Sequence, residues 1–256
     1  MVYFMVIVLL FGVGLIIYML KEAFANRLIQ NDVVFQDFPE SFGEVKIFFI
    51  SDIHKRVISD KIIQEVKGLN PDIVVIGGDL VEKGVPFTRV KNNIIKLKSL
   101  GPVYFVWGNN DYEVDFRKLD AMLLDCGVVI LDNTAATFES IKGDRLILLG
   151  VDDLNRNRDE LELALQDIEN DGFKILVSHN PKVVSKIKQE HNIRLVLSGH
   201  THGGQIHILG YSPYKKGTIK KLKQTTLLIS NGYGTTAVPL RLGAKSETHL
   251  ITIRKG

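Results

Sequence analysis

Two histidines separated by a single residue lie in a glycine-rich stretch, Ser-Gly-His-Thr-His-Gly-Gly-Gln at residues 198–205. In extended backbone, residues i and i+2 project from the same face, so His200 and His202 point into one volume. The flanking glycines let the backbone turn sharply and approach other groups closely. Paired imidazoles of this kind are typical metal ligands, although two polar residues on a solvated turn have the same pattern.

Further potential ligands follow apolar runs upstream of this pair. Each run is short and rich in β-branched and aromatic residues, which indicates a strand. The ligands after these runs are Asp52 and His54 (run 45–51), Asp79 (72–76), Asn109 (102–107) and His179 (173–178). Sites in α/β sheets lie at the carboxyl ends of strands, so we expect these side chains to meet at one sheet edge.

The elements between these residues predict an α/β fold. Amphipathic helices at 60–69, 87–100 and 114–125 alternate with the first strands, which favours a parallel layer built by crossovers. The second half contains a helix at 158–168 and another that begins at Pro181, and it is otherwise rich in strands: 128–131, 136–140, 146–151, 173–178, 194–197, 204–209, 225–230 and 247–254. We therefore predict two packed sheets flanked by helices.

The N-terminus predicts a transmembrane anchor. Residues 1–20 contain no charged side chain, and a helix of about 20 residues spans roughly 30 Å, the thickness of a bilayer core. We expect an anchor at 1–25, a connector at 26–43 and one domain at 44–256. The alternative is a signal peptide cleaved near Ala23-Phe24-Ala25, but no Lys or Arg precedes the apolar run.

Charge predicts location and excludes one class of partner. Lys21 and Arg27 follow the apolar segment, so retention of positive charge inside predicts a single-pass cell-membrane protein with a cytoplasmic catalytic domain. The formal net charge of +3 is too small to indicate nucleic acid as a partner. The single cysteine, Cys126, excludes an internal disulfide framework. The sequence does not indicate an oligomeric state.

Five short motifs together resemble the calcineurin-like metallophosphoesterases, over about residues 44–254. In chain order they are Asp52-Ile53-His54, Gly77-Gly78-Asp79, Gly108-Asn109, Ser178-His179-Asn180-Pro181 and Gly199-His200-Thr201-His202-Gly203-Gly204-Gln205. Asn231-Gly232-Tyr233-Gly234-Thr235-Thr236, followed by Pro239 and Arg241, resembles a bacterial membrane-anchored branch related to UDP-2,3-diacylglucosamine pyrophosphohydrolases. The resemblance implies an α/β/β/α sandwich.

The number of candidate ligands indicates two metal ions. Seven side chains are available, and two ions with about four protein ligands each would share one of them, as a bridging carboxylate can. The resemblance implies that Asp79 is the bridge, that Asp52, His54 and His202 complete one site, and that Asn109, His179 and His200 complete the other. Mixed nitrogen and oxygen ligands suit Mn, Fe or Zn without choosing among them.

Such a centre predicts hydrolysis of a phosphodiester or pyrophosphate bond by a metal-bound hydroxide, with Asp79 essential. Many relatives place a histidine where this chain has Asn110, and that histidine is thought to contact phosphate or protonate the leaving group. We expect Asn110 to keep the phosphate contact and the substrate to have a good leaving group, such as a phosphate. By resemblance, Arg241 is a further phosphate contact.

Two interpretations remain open at this stage. One is a membrane-anchored phosphoesterase acting on a phosphate-containing small molecule or lipid, including a nucleotide-linked lipid. The other is a binding or scaffold protein that kept the fold and lost catalysis. The lysines at 215, 216, 220, 221 and 223 are compatible with a solvated loop or with contact to anionic headgroups.

Overall fold

Two six-stranded mixed sheets form the centre of the structure, a computed structural model that describes residues 1–256. The strands are β1 (Leu28–Phe35), β2 (Glu44–Ile50), β3 (Ile73–Gly77), β4 (Val103–Val106), β5 (Val129–Ile130), β6 (Thr134–Glu139), β7 (Arg145–Gly150), β8 (Phe173–Val177), β9 (Ile193–Ser198), β10 (Thr218–Lys221), β11 (Thr226–Ile229) and β12 (Thr248–Lys255). The first sheet has the order β1-β12-β2-β3-β4-β5, and the second has the order β10-β11-β9-β8-β7-β6.

Helix α1 (Val2–Ala23) precedes the sheets. Helices α2 (Asp60–Lys67), α3 (Phe87–Lys98) and α4 (Phe116–Asp125) cover the outer face of the first sheet, and α5 (Leu161–Gln166) covers that of the second. Successive side chains of a strand point to opposite faces. In β2, Phe48 therefore joins the core under α2, α3 and α4, whereas Phe49 joins the core between the sheets. The predicted sandwich of two sheets flanked by helices is confirmed.

Most strands of each sheet are parallel, so their carboxyl ends lie at the same edge. In the first sheet, β2, β3, β4 and β5 are parallel to one another. In the second, β7, β8, β9 and β11 are parallel. The ligand-bearing segments follow the carboxyl ends of these strands, so they gather at one edge, which we call the site edge.

The N-terminal helix is attached at the site edge. β12 runs antiparallel to β2, so its first residue, Thr248, lies at the site edge, and β1 pairs in parallel with β12 through Leu28 and Thr248. Helix α1 ends at Ala23, shortly before β1. Only 6% of its most apolar 18-residue window is buried, so most of α1 stands away from the domain, and its length and composition suit a membrane span.

Arg56 fastens the end of α1 to the domain. Its guanidinium donates hydrogen bonds to the carbonyl oxygens of Ala23 (3.3 Å), Phe24 (2.6 Å) and Ala25 (2.9 Å). The last carbonyls of a helix have no partner within the helix. Arg56 therefore satisfies them, and α1 emerges from the domain without a free linker.

Four expectations differ from the structure. Residues 26–43 were expected to be a connector, but they contain β1, which pairs with β12 over eight residues as an edge strand of the first sheet. No strand forms at 204–209, where Gln205 and Leu209 adopt positive φ. The segment that begins at Pro181 is a 3₁₀ helix, Pro181–Lys186, and α5 is shorter than the window at 158–168.

Candidate metal centre

Tight turns at the strand ends position the candidate ligands. Five of the seven have positive φ: Asp52 (55°), His54 (52°), Asp79 (51°), His200 (69°) and His202 (50°). Residues other than glycine rarely adopt this region, and they persist there only when the surrounding structure holds them. This clustering of unfavourable backbone at one edge indicates a functional site.

Six of the seven ligands form an unbroken series of contacts. Asp52 Oδ1 lies 3.3 Å from His202 Nε2, which lies 3.0 Å from His54 Nε2. Asp79 Oδ2 is 3.7 Å from His54 Nε2 and 3.2 Å from His179 Nε2. His179 Nε2 in turn lies 3.2 Å from His200 Nδ1. Asp79 thus stands between two sets of imidazoles, as expected of a bridging carboxylate.

The seventh ligand, Asn109, reaches the series through Asn155. The Asn155 side-chain amide nitrogen lies 3.3 Å from Asn109 Oδ1 and 3.3 Å from His200 Nε2. The Asn180 side chain donates a hydrogen bond to Asn155 Oδ1 at 3.0 Å. We call Asp52, His54 and His202 the inner half of the centre, and Asn109, His179 and His200 the outer half.

The ring orientation of two histidines suits metal binding. His179 Nδ1 lies 2.8 Å from the carbonyl oxygen of Gly77, and His54 Nδ1 lies 3.0 Å from Glu82 Oε2. An imidazole that donates one N–H to a carbonyl or carboxylate presents the lone pair of its other nitrogen. The Nε2 atoms of both rings face the centre, and each becomes available as a ligand when it gives up its proton.

The electrostatics of the centre suit a cation. Burial lowers the pKa of His202 to about 3, so this imidazole is neutral and able to act as a ligand. Burial lowers the pKa of His179, but Asp79, Asp52 and the Gly77 carbonyl together raise it by more, and the net value is about 10. Without a metal, a proton on His179 therefore balances the carboxylates. Two groups of three ligand atoms, each within 4.8 Å of one another, meet the requirement for metal sites: Asp52, His54 and His202, and Asp52, Asp79 and His179.

Asp111, which the motif reasoning did not select, shapes the loop that carries Asp79. Its carboxylate is fully buried and accepts hydrogen bonds from the backbone N–H groups of Asp79 (2.8 Å), Val81 (3.0 Å) and Gly108 (2.8 Å). Burial and then the charge of Asp79 raise the pKa of Asp111 to about 8. In the sequence, Asp111 is visible only as an acidic residue two positions after Asn109, and two of its hydrogen-bond partners, Asp79 and Val81, are distant in the chain.

Another carboxylate adds to the excess of acceptors at the site edge. Asp153 follows β7, is 1% exposed, and has no hydrogen-bond partner at either carboxylate oxygen. Burial raises the pKa of Asp153, and His179 and Asp79 are close enough for their charges to affect it. Burying a carboxylate that accepts no hydrogen bond costs free energy unless a cation is near. The carboxylates and imidazoles at the site edge therefore fit a bound divalent metal.

Asn110 and Arg241 lie in very different surroundings. Asn110 is half-buried at the mouth of the centre, where its backbone N–H donates to Asp79 Oδ1 at 2.8 Å. Arg241 is fully buried beneath the inner half, and its guanidinium donates to backbone carbonyls, including those of Asn231 (2.6 Å) and His202 (3.3 Å). Asn110 therefore lies next to Asp79, whereas Arg241 lies behind the ligands.

Residues 45–204 match the family described as calcineurin-like phosphoesterase. The chain belongs to this family. It is 46% identical over 208 residues to YpbG of Bacillus subtilis, a match that covers 81% of this chain and 80% of that protein. It is also 30% identical over 253 residues to a Danio rerio protein named "transmembrane protein with metallophosphoesterase domain", covering 90% of this chain and 57% of that protein.

The fold also resembles that of a solved structure. The phosphopantetheinyl hydrolase PptH of Mycobacterium tuberculosis superimposes with a TM-score of 0.51 at 14% identity, covering 77% of this chain and 95% of that one. At this identity the likeness shows the fold alone. Family membership is consistent with a metal-dependent phosphoester hydrolase whose substrate contains phosphate, and the apolar helix with the transmembrane-named relative indicates membrane association.

Proposed function

We propose that this protein is a membrane-anchored dinuclear-metal phosphoesterase that hydrolyses a phosphodiester or pyrophosphate bond. The observation that carries the proposal is the position of Asp79, whose carboxylate lies between His54 of the inner half and His179 of the outer half. Divalent ions held by these residues would supply an activated water and neutralise charge on phosphate oxygens. Mn, Fe or Zn would each suit these ligands.

The protein's own residues hold and orient these groups. Asp79 would bridge, Asp52, His54 and His202 would complete the inner site, and Asn109, His179 and His200 would complete the outer site. Glu82 and the Gly77 carbonyl fix the rings of His54 and His179. Arg241 touches only protein carbonyls and His202, so we propose that it positions His202 instead of contacting substrate.

The substrate proposed here is amphiphilic, a phosphate-bearing or nucleotide-linked lipid like those implied by the resemblance to UDP-2,3-diacylglucosamine pyrophosphohydrolases. A cavity of about 260 Å³ lies where α1 meets the domain, and Ala23, Phe24 and Gly234 are among its lining residues. The Gly234 N–H donates to the carbonyl oxygen of Asp52 at 2.7 Å. The cavity therefore lies between the membrane end of the chain and a segment bonded to the Asp52 backbone, and we propose that it receives part of an acyl chain.

A substrate panel tests the activity. The full chain, reconstituted in lipid, is assayed with Mn²⁺, Fe²⁺ or Zn²⁺ on monoester, diester, cyclic-nucleotide and nucleotide-linked lipid substrates. We expect metal-dependent turnover that a chelator abolishes, fastest on an anhydride or activated diester. No turnover with any metal would favour the scaffold alternative. For orientation, alkaline phosphatase fused to the C-terminus should be inactive, because that enzyme works only outside the cytoplasm.

Asn110 tests the identity of the leaving group. A histidine at this position could protonate a poor leaving group, a contribution of about 10²–10⁴-fold. We expect Asn110→His to raise the rate on alkyl diesters and to leave the rate on pyrophosphates nearly unchanged. Asn110→Gln, which adds no titratable ring, is the control. Alkyl diester rates that do not respond to the histidine would contradict the leaving-group argument.

A further inference from the structure

An exposed apolar turn lies beside the metal centre, at residues 206–211. Ile208 is 70% exposed, Leu209 94% and Tyr211 83%. Reciprocal backbone hydrogen bonds between Ile208 and Tyr211, at 3.0 and 2.9 Å, close the turn. Single exposed apolar residues are ordinary, but three at the tip of one turn form a patch.

The backbone of Leu209, within this patch, has an unfavourable conformation. Its φ is 50°, followed by Gly210 at 86°, so both central residues of the turn are left-handed. Asn, Asp or Gly is normally found at such positions, and a bulky apolar residue is unfavourable there. The chain thus accepts backbone strain at a position where its leucine side chain has almost no contact with the rest of the protein.

The turn belongs to the same surface as the end of α1. The N–H of His207 donates to the carbonyl oxygen of Leu242 at 2.8 Å, and the N–H of Arg241 donates to that of Met19 at 3.1 Å. The Gln205 side chain ties the turn to the 236–238 segment by further hydrogen bonds. Helix α1, the 236–242 segment and the turn are therefore held together at the site edge.

Basic residues follow the apolar tip on this face. Lys215 and Lys216 are exposed and come just before Thr218, whose register with Ile229 places it at the site edge. Lys221 pairs with Thr226 and so lies at the opposite edge. The basic stretch is thus divided, and only its first part accompanies the turn. Apolar tips flanked by lysines are the combination that binds anionic lipid surfaces.

We propose that the 206–211 turn is a second membrane contact, which inserts Ile208, Leu209 and Tyr211 into the headgroup region of the anionic bilayer that holds α1. His202 lies three residues before Gln205, so this contact would turn the metal centre towards the lipid surface. The proposal requires α1 to be in the bilayer, but it does not require the proposed catalytic activity.

Depth-dependent fluorescence quenching tests the proposal. The full chain carrying Leu209→Trp is reconstituted in phosphatidylglycerol-containing vesicles with brominated acyl chains. The matched control is Ile141→Trp, because Ile141 is 99% exposed and lies in the β6–β7 hairpin at the opposite edge. The natural Trp107 is 3% exposed and supplies a constant background, measured in the parent chain. We expect the tryptophan at 209 to lose most of its emission and the one at 141 to lose none.

A third position separates failure of this contact from failure of the anchor. Phe11→Trp, in the middle of α1, should be quenched whenever the helix is in the bilayer. Quenching at 11 without quenching at 209 would overturn the proposal and leave the anchor intact. No quenching at either position would remove both. Shielding at 209 that depends on protein concentration but not on bromine would assign the turn to a second copy of the chain, and would also overturn the proposal.

A rate measurement on Leu209→Asn provides an independent check. Asparagine accepts positive φ, so the turn should be retained while its apolar tip is lost. We expect a lower rate on a phosphate ester embedded in vesicles and an unchanged rate on a soluble ester. Equal loss on both substrates would indicate a structural role and would contradict membrane insertion.

Discussion

The inner and outer halves of the metal centre differ in their access to water. The inner ligands Asp52, His54 and His202 are 0%, 1% and 5% exposed, and Glu82 and Arg241 surround them with further buried groups. The outer half ends in two half-buried ligands, Asn109 and His200, which contact the exposed side chain of Asn155.

This difference suggests separate tasks for the two halves. A closed set of ligands can hold a cation without help from substrate, because water screens their mutual attraction only weakly. An open set leaves space for water and for a phosphate group. Asn110 lies on the open side, and Arg156 also approaches there, with its guanidinium 3.5 Å from the Asn109 carbonyl oxygen.

Asp79 joins the two halves, so its loss should have the largest effect. We expect Asp79→Asn to lower metal content from two ions per chain and to reduce turnover by at least about 10²–10³-fold, the usual loss when one preorganised electrostatic contact is removed. Metal content by mass spectrometry and initial rates measure this. Asp125→Asn, at the exposed end of α4, is the control. Two ions and full activity in Asp79→Asn would refute the bridging role.

Glu82 tests the inner half alone. Its carboxylate holds His54 Nδ1 at 3.0 Å, and loss of such a partner typically lowers metal affinity by about 10–100-fold. We expect Glu82→Gln to weaken one of two steps in a Mn²⁺ titration of the apo protein. Glu82 also pairs with the exposed Lys55 at 2.6 Å, so Lys55→Met is the control and should change little. If both variants behave alike, the effect does not pass through His54.

Asn155 is the corresponding test of the outer half. Asn155→Ala removes the contact that joins Asn109 to His200, and we expect the other Mn²⁺ step to weaken by about tenfold, the lower end of the range for such partners. The effect should be smaller than for Glu82 because solvent can replace this amide. Asn170→Ala, at an exposed position, serves as control. Weakening of the same step in the Asn155 and Glu82 variants would remove the distinction between the halves.

Proton release on metal binding is the smallest expected effect, and it reports on His179. An ordinary imidazole has a pKa of 6.5, whereas His179 has a pKa of about 10, because burial lowers it but Asp79, Asp52 and the Gly77 carbonyl together raise it by more. Between these values the folded apo protein keeps a proton that metal must displace, so His179 stabilises the apo fold below pH 6.5 and loses this contribution as pH rises through 10.

Calorimetry in buffers with different heats of ionisation measures this release. At pH 8 we expect Mn²⁺ binding to release protons from His179 and none from His202, whose pKa is about 3. Binding heats that do not depend on the buffer would show that no proton is displaced, and would contradict the arrangement of charge around Asp79.

The sequence was most informative where burial is complete. Strands β3 and β4 are continuous apolar runs, β2 and β8 are mostly apolar, and a ligand follows each of them within three residues, so both the element and the residue were visible. β1 was missed because Leu-Ile-Gln-Asn-Asp mixes apolar and polar residues, as expected of an edge strand with partial burial. β10 was missed because all four of its residues are exposed.

The supporting residues of the centre could not be read from the sequence. Glu82, Asp111 and Asn155 act through partners on other elements, and nothing in their local pattern differs from that of ordinary surface residues. The resemblance indicated Arg241, but its role depends on burial, which places the guanidinium among carbonyls behind His202. Residues 204–209, which overlap the turn, were predicted as a strand, and the left-handed backbone at Gln205 and Leu209 prevents this.

The short attachment between α1 and the domain limits how far the metal centre can move from the end of the helix. Arg56 grips the carbonyls of residues 23–25, so no flexible tether lets the domain swing away from the end of the helix. With α1 in a bilayer, encounters with substrate would take place by lateral diffusion in two dimensions. Turnover would then follow the surface density of substrate in the membrane and not its bulk concentration.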